Sequence, residues 1–199
     1  MGCLKNIFRA ILLTLALVGF LSLGGKEFVM NLVNNYFNPS KDVMLERAQK
    51  VGDFSKINDE FEIEKTAGIM GYNAVIAEHK ASGQKMFVID SGTKSILTAE
   101  DVKSDKAEEK LQKALGKIKY QAISVEDLKV TKHGIMNSYG KQVPYVKFEA
   151  RVKKLPIGDV GGIVSVAEIK DGEQRLLISV SEKNKYSQLI SDEFFRKIK

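Results

Sequence analysis

The chain has two histidines, His79 and His133, and these side chains are the first to consider for acid–base or metal chemistry. Each lies near the end of a strand-like run of residues. Together with Glu78 they could supply a His₂Glu metal site, but their positions match no recognised ligand spacing. We therefore interpret both as partly exposed residues at strand ends, and we expect neither a metal site nor a bound cofactor.

Serine nucleophiles are a second kind of chemistry to consider. Ser179 and Ser181 alternate along a strand-like run and Lys183 follows them, so a Ser-Lys arrangement could form. The sequence contains no Gly-x-Ser-x-Gly nucleophile elbow. Serines that alternate along a strand are typical of its solvent-facing side, and we expect that location here. We therefore predict no catalytic residue.

The glycine-rich and acidic stretches are explained by local structure. Residues 158–162 (Gly-Asp-Val-Gly-Gly) lack the Lys-Ser/Thr pair and the following helix that a phosphate-binding loop needs. They precede a strand-like run, which predicts a flexible turn. The acidic pairs at 100–101 and 108–109 lie at predicted helix starts, where the helix dipole stabilises carboxylates.

The net charge of +6 is mild, because lysine and glutamate alternate along most of the chain. The densest basic stretch is Arg151, Lys153 and Lys154, without the interleaved aromatic residues of a nucleic-acid-binding surface. We expect no nucleic-acid partner, and attraction to anionic lipid headgroups fits this charge better. Tyr139 and Tyr145 could belong to a binding surface, but packing between neighbouring strands is the interpretation that we favour.

One long apolar segment runs from Ile7 to Gly25. A helix of roughly 19 residues is about 28 Å long, close to the thickness of about 30 Å of a bilayer's hydrocarbon core. We interpret it as a retained membrane anchor. The alternative is a cleaved signal peptide, with Lys5 and Arg9 as its charged start. A buried core helix fits less well, because helices of soluble folds usually carry a polar face.

The charges beside this segment predict its orientation. Lys5 precedes it and Arg9 lies at its start, before the uninterrupted apolar part from Ala10, which favours a cytoplasmic N-terminus and a C-terminal domain outside the membrane. The single cysteine, Cys3, also precedes it, so the outer domain has no internal disulfide. This lack of cysteines favours the bacterial envelope, since eukaryotic secreted domains commonly carry disulfides.

The chain after the apolar segment divides into a stalk and a folded domain. Pro39 disfavours helix in the residue before it, and a short helix is predicted at residues 42–51, ended by Gly52. The domain plan is therefore an anchor at residues 1–25, a helical stalk and linker at 26–52, and an extracytoplasmic α+β domain at 53–199.

Periodicity and turn residues predict the elements of this domain. A period of two indicates strands, and residues 81–83 and 171–172 are hairpin signals. Alternation along residues 142–153 predicts one buried and one solvated sheet face. The predicted strands lie at 61–64, 72–79, 85–90, 125–133, 142–153, 162–170 and 173–181. The predicted helices are a capped turn at 98–101, a helix at 105–119 and a C-terminal helix at 185–199, with a buried stripe of Tyr186, Leu189, Ile190, Phe194 and Ile198.

The sequence thus predicts an α+β fold: an N-terminal transmembrane helix, then a mostly antiparallel sheet with an inserted helix and a C-terminal helix packed on one face. The order of hairpin, helix, strand meander and C-terminal helix resembles that of PsbP/Mog1-type domains. The resemblance is one of element order, so it implies the fold and no function.

Three functions remain open at this point. The first is a single-pass, membrane-anchored extracytoplasmic protein whose outer domain is a binding or interaction module of the cell envelope, held in the lipid bilayer by Ile7 to Gly25. If the anchor is cleaved, the same domain is secreted. The second is a hydrolase of envelope polymers with an unrecognised active site. The third is a structural subunit of a membrane assembly.

Overall fold

The computed structural model describes residues 41–69, 72–92, 97–116, 124–153, 159–170 and 172–199. They form a seven-stranded, wholly antiparallel sheet with the strand order β1-β2-β3-β7-β6-β5-β4. The predicted α+β class with an antiparallel sheet is confirmed. The strands are β1 (Phe61–Ile69), β2 (Tyr72–His79), β3 (Lys85–Gly92), β4 (Ser124–Ser138), β5 (Lys141–Lys153), β6 (Asp159–Glu168) and β7 (Gln174–Glu182), and the helices are α1 (Lys41–Val51), α2 (Ala99–Lys103), α3 (Lys106–Gly116) and α4 (Gln188–Lys197).

Helices cover both faces of the sheet. On the α2/α3 face, Val102 and Leu111 join a core with the apolar residues of the strands beneath them. On the opposite face, the α1/α4 face, Ala48 and Phe194 belong to a second core. The central strands β6 and β7 are accordingly buried along almost their whole length, because each of their residues faces one of the two cores.

The second helical layer corrects the prediction of one solvated face. Val143 and Tyr145 of β5 are buried on the α1/α4 face, although they belong to the face that alternation marked as wet. The other end of that face is open, since Arg151 is exposed. The difference between the predicted and the observed burial arises because α1 and α4 cover part of this face. The periodicity of a strand does not show whether a helix covers it.

The local turn and capping signals are confirmed. Gly83 and Gly172 have φ values of +69° and +79° in the two predicted hairpins, a conformation that glycine adopts without steric cost. Thr98 and Asp101 form a capping box, in which the Asp101 amide donates to Thr98 Oγ1 at 3.1 Å and the Thr98 amide donates to Asp101 Oδ2 at 2.9 Å.

Two predictions about the last third of the chain are wrong. Residues 159–162 are not a flexible turn, because β6 begins at Asp159 and Gly162 is buried within it. The buried stripe of the last helix is also displaced, since Leu189 is 79% exposed and Phe195 is completely buried. A short helix with several apolar residues permits two neighbouring phases of the 3.6-residue period, and the sheet selects one of them.

The predicted membrane anchor from Ile7 to Gly25 lies outside the described residues. Among the helices that the structure describes, none is both long and apolar enough to cross a bilayer. The first described helix, α1, packs on the sheet through Ala48 and Val51, and the Gly52 amide donates to Ala48 O at 3.0 Å where the helix ends.

The two neighbouring glycines of β6 provide a matched test of this packing. A Cβ at Gly162 would lie 2.3 Å from the carbonyl oxygen of Ser179, whereas a Cβ at Gly161 would meet nothing closer than 3.5 Å. We expect Gly162→Ala to lower the free energy of unfolding by about 2–3 kcal/mol and Gly161→Ala by less than about 1 kcal/mol. Urea unfolding followed by circular dichroism measures both, and equal losses would contradict the close approach at Gly162.

Candidate functional site

The two histidines lie on strands that are far apart in the sheet. His79 ends β2, and its Nδ1 lies 2.8 Å from Ser82 Oγ in the following turn. His133 lies within β4, not at a strand end as predicted, and its Nδ1 lies 3.1 Å from Val102 O of α2. Four strands lie between β2 and β4. The two strands are therefore five spacings of about 4.8 Å apart, or about 24 Å. The two imidazoles therefore cannot form one acid–base pair or one His₂Glu site. Within the described ranges, no group of three or more His, Cys, Asp or Glu residues could hold a metal ion.

The serines considered as nucleophiles are buried, so the prediction that they face solvent is wrong. Ser179 and Ser181 lie on the α1/α4 face, which the last helix covers. Ser179 Oγ accepts hydrogen bonds from Gln84 Nε2 and from Ser191 Oγ, both at 2.9 Å. Lys183 Nζ lies 2.7 Å from Glu149 Oε2, an ion pair that raises the pKa of Lys183. The Ser-Lys arrangement does not form.

The Gln84 side chain is the centre of the polar network that holds α4 to the sheet. Its amide nitrogen lies within 3.0 Å of the carbonyl oxygen of Ser187, and its amide oxygen accepts from the Ser187 backbone N–H at 2.9 Å. Gln84 is completely buried, and the Tyr186 hydroxyl extends the network to Ser191 Oγ at 3.0 Å. Sequence reasoning missed this residue because a glutamine beside a hairpin turn is usually solvated.

Both tyrosines are packing residues, but only Tyr145 packs between neighbouring strands as predicted, whereas Tyr139 contacts the end of α1. Tyr139 has a φ of +52° in the two-residue turn between β4 and β5, and its hydroxyl donates to the carbonyl oxygen of Val51 at 2.8 Å. Burial raises its pKa well above the ordinary range. Tyr145 lies opposite Gly134, and its ring occupies the space where a Cβ would be, only 2.5 Å from that position.

Arg175 fixes the C-terminal end of α1 to the sheet. Its guanidinium is buried and donates to Asp90 Oδ1 at 2.9 Å and, over longer distances of 3.3 and 3.4 Å, to the carbonyl oxygens of Val51 and Lys50. A cation at this end of a helix complements its dipole and its unpaired carbonyl groups. We call Arg175, Asp90 and Tyr139 the α1 clamp. Only the three-dimensional fold brings these residues together.

Lys85 forms the second buried charge cluster. Its ammonium lies 2.8 Å from Glu64 Oε1 and also contacts Glu78 Oε2, and the lysine side chain is 7% exposed. Burial, together with the hydrogen bond to Glu78, raises the pKa of Glu64. One ammonium thus forms ion pairs with two carboxylates, one on β1 and one on β2. This arrangement can share a proton, but the ammonium itself is enclosed, so we interpret the cluster as structural.

Comparison with known proteins does not assign the chain to a family. No family model matches the sequence, and no curated protein matches it. Among solved structures, the chain is similar to the solution structure of cyanobacterial PsbP (CyanoP) from Synechocystis sp. PCC 6803, with a TM-score of 0.38 and 12% sequence identity. That similarity covers 75% of this chain and 98% of the other.

The Lys85 cluster predicts a pH-dependent effect of removing the cation. Without it, Glu64 stays half-buried beside Glu78 with its pKa above the ordinary 4.5, so above that pH the folded state binds more protons than the unfolded state does. We expect Lys85→Met to cost about 2 kcal/mol of unfolding free energy near neutral pH, and less near pH 5. Thermal unfolding at both pH values measures this. In a Lys85→Met/Glu64→Gln control the pH dependence should shrink, and a loss that is constant with pH would contradict the explanation.

The α1 clamp predicts a local effect of the Tyr139 hydroxyl. We expect Tyr139→Phe to lower the free energy of unfolding by about 1 kcal/mol. Hydrogen exchange should accelerate in α1, because Val51 O loses a donor. The matched control is Tyr145→Phe, whose hydroxyl forms no hydrogen bond with the described residues. Equal exchange in α1 for both variants would show that the hydroxyl does not hold the helix.

Proposed function

We propose that this protein is a single-pass, membrane-anchored extracytoplasmic protein whose outer domain is a binding or interaction module of the cell envelope. The observation that carries the proposal is the apolar segment from Ile7 to Gly25, which has the length of a bilayer span. In this proposal residues 1–25 are the anchor, 26–52 lead out of the membrane, and 53–199 form the main part of the outer domain.

The α1 clamp supports the view that the domain is presented on a firm base. The chain that leaves the proposed anchor reaches α1 after residue 40, and Arg175 and Tyr139 tie the end of α1 to the sheet. Because α1 is held in this way, the sheet cannot move independently of the helix that follows the stalk. This arrangement suits a module that must be presented at the membrane.

The contacts of the described residues support a binding module over a hydrolase. Three of the side chains first considered for catalysis make structural contacts instead: His133 with α2, Ser179 with the Gln84 network, and Lys183 with Glu149. The orientation follows from Lys5 and Arg9, which favour a cytoplasmic N-terminus and an outer domain. Secretion after signal cleavage remains the variant of the same proposal.

Fractionation of the tagged full chain tests the proposal. We expect intact protein in the membrane pool, with its outer domain cleaved by protease added to spheroplasts. Leu15→Arg should reduce the membrane share, because an arginine at the centre of a span costs about 2.5–3.5 kcal/mol in apparent insertion free energy, and Leu15→Ile is the matched control. A soluble extracytoplasmic product that begins near Gly25 would establish the secreted form. Intact protein in the cytosol would overturn both.

A further inference from the structure

A pair of like charges lies on the α1/α4 face where β4 and β5 run beyond the last helix. In the register of the two strands, Lys129 is opposite Glu149, and the next pair on the same face places Lys132 opposite Lys147. The first pair matches opposite charges. The second places two lysines directly opposite each other, and like charges in that arrangement destabilise a sheet.

Two other cations in this part of the sheet, Arg151 and Lys183, have acidic partners, whereas no carboxylate of the described residues pairs with Lys132 or Lys147. Arg151 pairs with Asp159 at 3.2 Å, and Lys183 pairs with Glu149 at 2.7 Å. Among the described residues, Lys132 and Lys147 form no ion pair with a carboxylate. The positive charge at this position is therefore available to an anion from outside the domain.

The segment that Lys147 contacts also carries an exposed apolar side chain, three residues after Tyr186. The Lys147 ammonium lies 5.4 Å from the centroid of the Tyr186 ring. This cation–π contact holds the ammonium close to the start of α4. Leu189, in the first turn of α4, is 79% exposed. Cations beside an exposed aliphatic side chain are typical of surfaces that lie on a membrane, where the cations meet phosphate groups and the aliphatic group enters the interface.

We propose that Lys132, Lys147 and Leu189 form a docking surface for the phosphate groups of anionic lipids. The proposal rests on the proposed function, because the anchor supplies the nearby bilayer. Residues 26–40 span at most about 50 Å, at about 3.3 Å per residue, so the anchor keeps the domain within reach of the bilayer. A lysine binds phosphate as a point charge, which suits a fluid headgroup layer without a fixed geometry.

The test uses the full chain in lipid nanodiscs of phosphatidylcholine, with and without phosphatidylglycerol. We expect hydrogen exchange in the peptides around Lys132, Lys147 and Leu189 to slow in the anionic discs alone, and the protection to disappear at high salt. The Lys132→Gln/Lys147→Gln variant should lose the protection, with the ratio of docked to free domain falling about fivefold for each lysine. Its thermal stability should change little, since the relieved repulsion offsets the lost contact between Lys147 and the Tyr186 ring.

The matched control is Lys103→Gln/Lys113→Gln, which removes the same charge from exposed positions on α2 and α3 and should keep the protection. Equal protection in neutral discs, or protection that survives Lys132→Gln/Lys147→Gln, would overturn the docking surface. Inorganic phosphate that protects the same peptides without lipid would also overturn it, in favour of a small-anion site.

Failure of the anchor gives a different result. A chain that does not enter nanodiscs of either composition disproves the anchor, and it is then mixed with preformed vesicles of the same two compositions. Sedimentation with anionic vesicles alone would support the docking surface without the anchor. Absence of sedimentation would overturn both.

Discussion

A buried guanidinium must find acceptors for its N–H groups, and in this fold that requirement ties separate parts of the chain together. Arg175 lies on β7, and its acceptors are Asp90 on β3, Glu173 beside the hairpin turn and two carbonyl groups at the end of α1. Because an unpaired charge in this position would be expensive, the end of α1 and the strands β3 and β7 must keep their mutual positions. Tyr139 adds a neutral donor to the same helix end.

The last helix is fastened by polar contacts at both of its ends. At its start, Gln84 holds the backbone of Ser187. At its end, the Tyr139 amide donates to the carbonyl oxygen of Ile198 at 3.0 Å. Between them, Phe194 packs against Phe61 with ring centroids 5.2 Å apart. Apolar packing alone would allow the helix to slide, whereas the two fastenings define one position, and that position sets Tyr186 beneath the Lys147 ammonium.

Structural features that depend on a few consecutive residues could be predicted from the sequence. Features that depend on residues far apart in the sequence could not. The hairpins at Gly83 and Gly172 and the capping box at Thr98 follow from local chemistry. The burial of Ser179 depends on Gln84, almost a hundred residues away in sequence. The lysine pair depends on strand register: the irregularity between Val130 and Lys132 shifts the register, so that Lys132 shares a face with Lys147. The residues of β4 alone do not allow that shift to be predicted.

The backbone of Asp53 and that of Lys199 form a reciprocal pair, with N–H···O distances of 2.6 and 3.2 Å. The second residue after α1 and the second residue after α4 therefore lie side by side. The chain thus enters the sheet from α1 at the point where it returns past α4, so the two helices of the α1/α4 face are joined by backbone hydrogen bonds as well as by the strands beneath them.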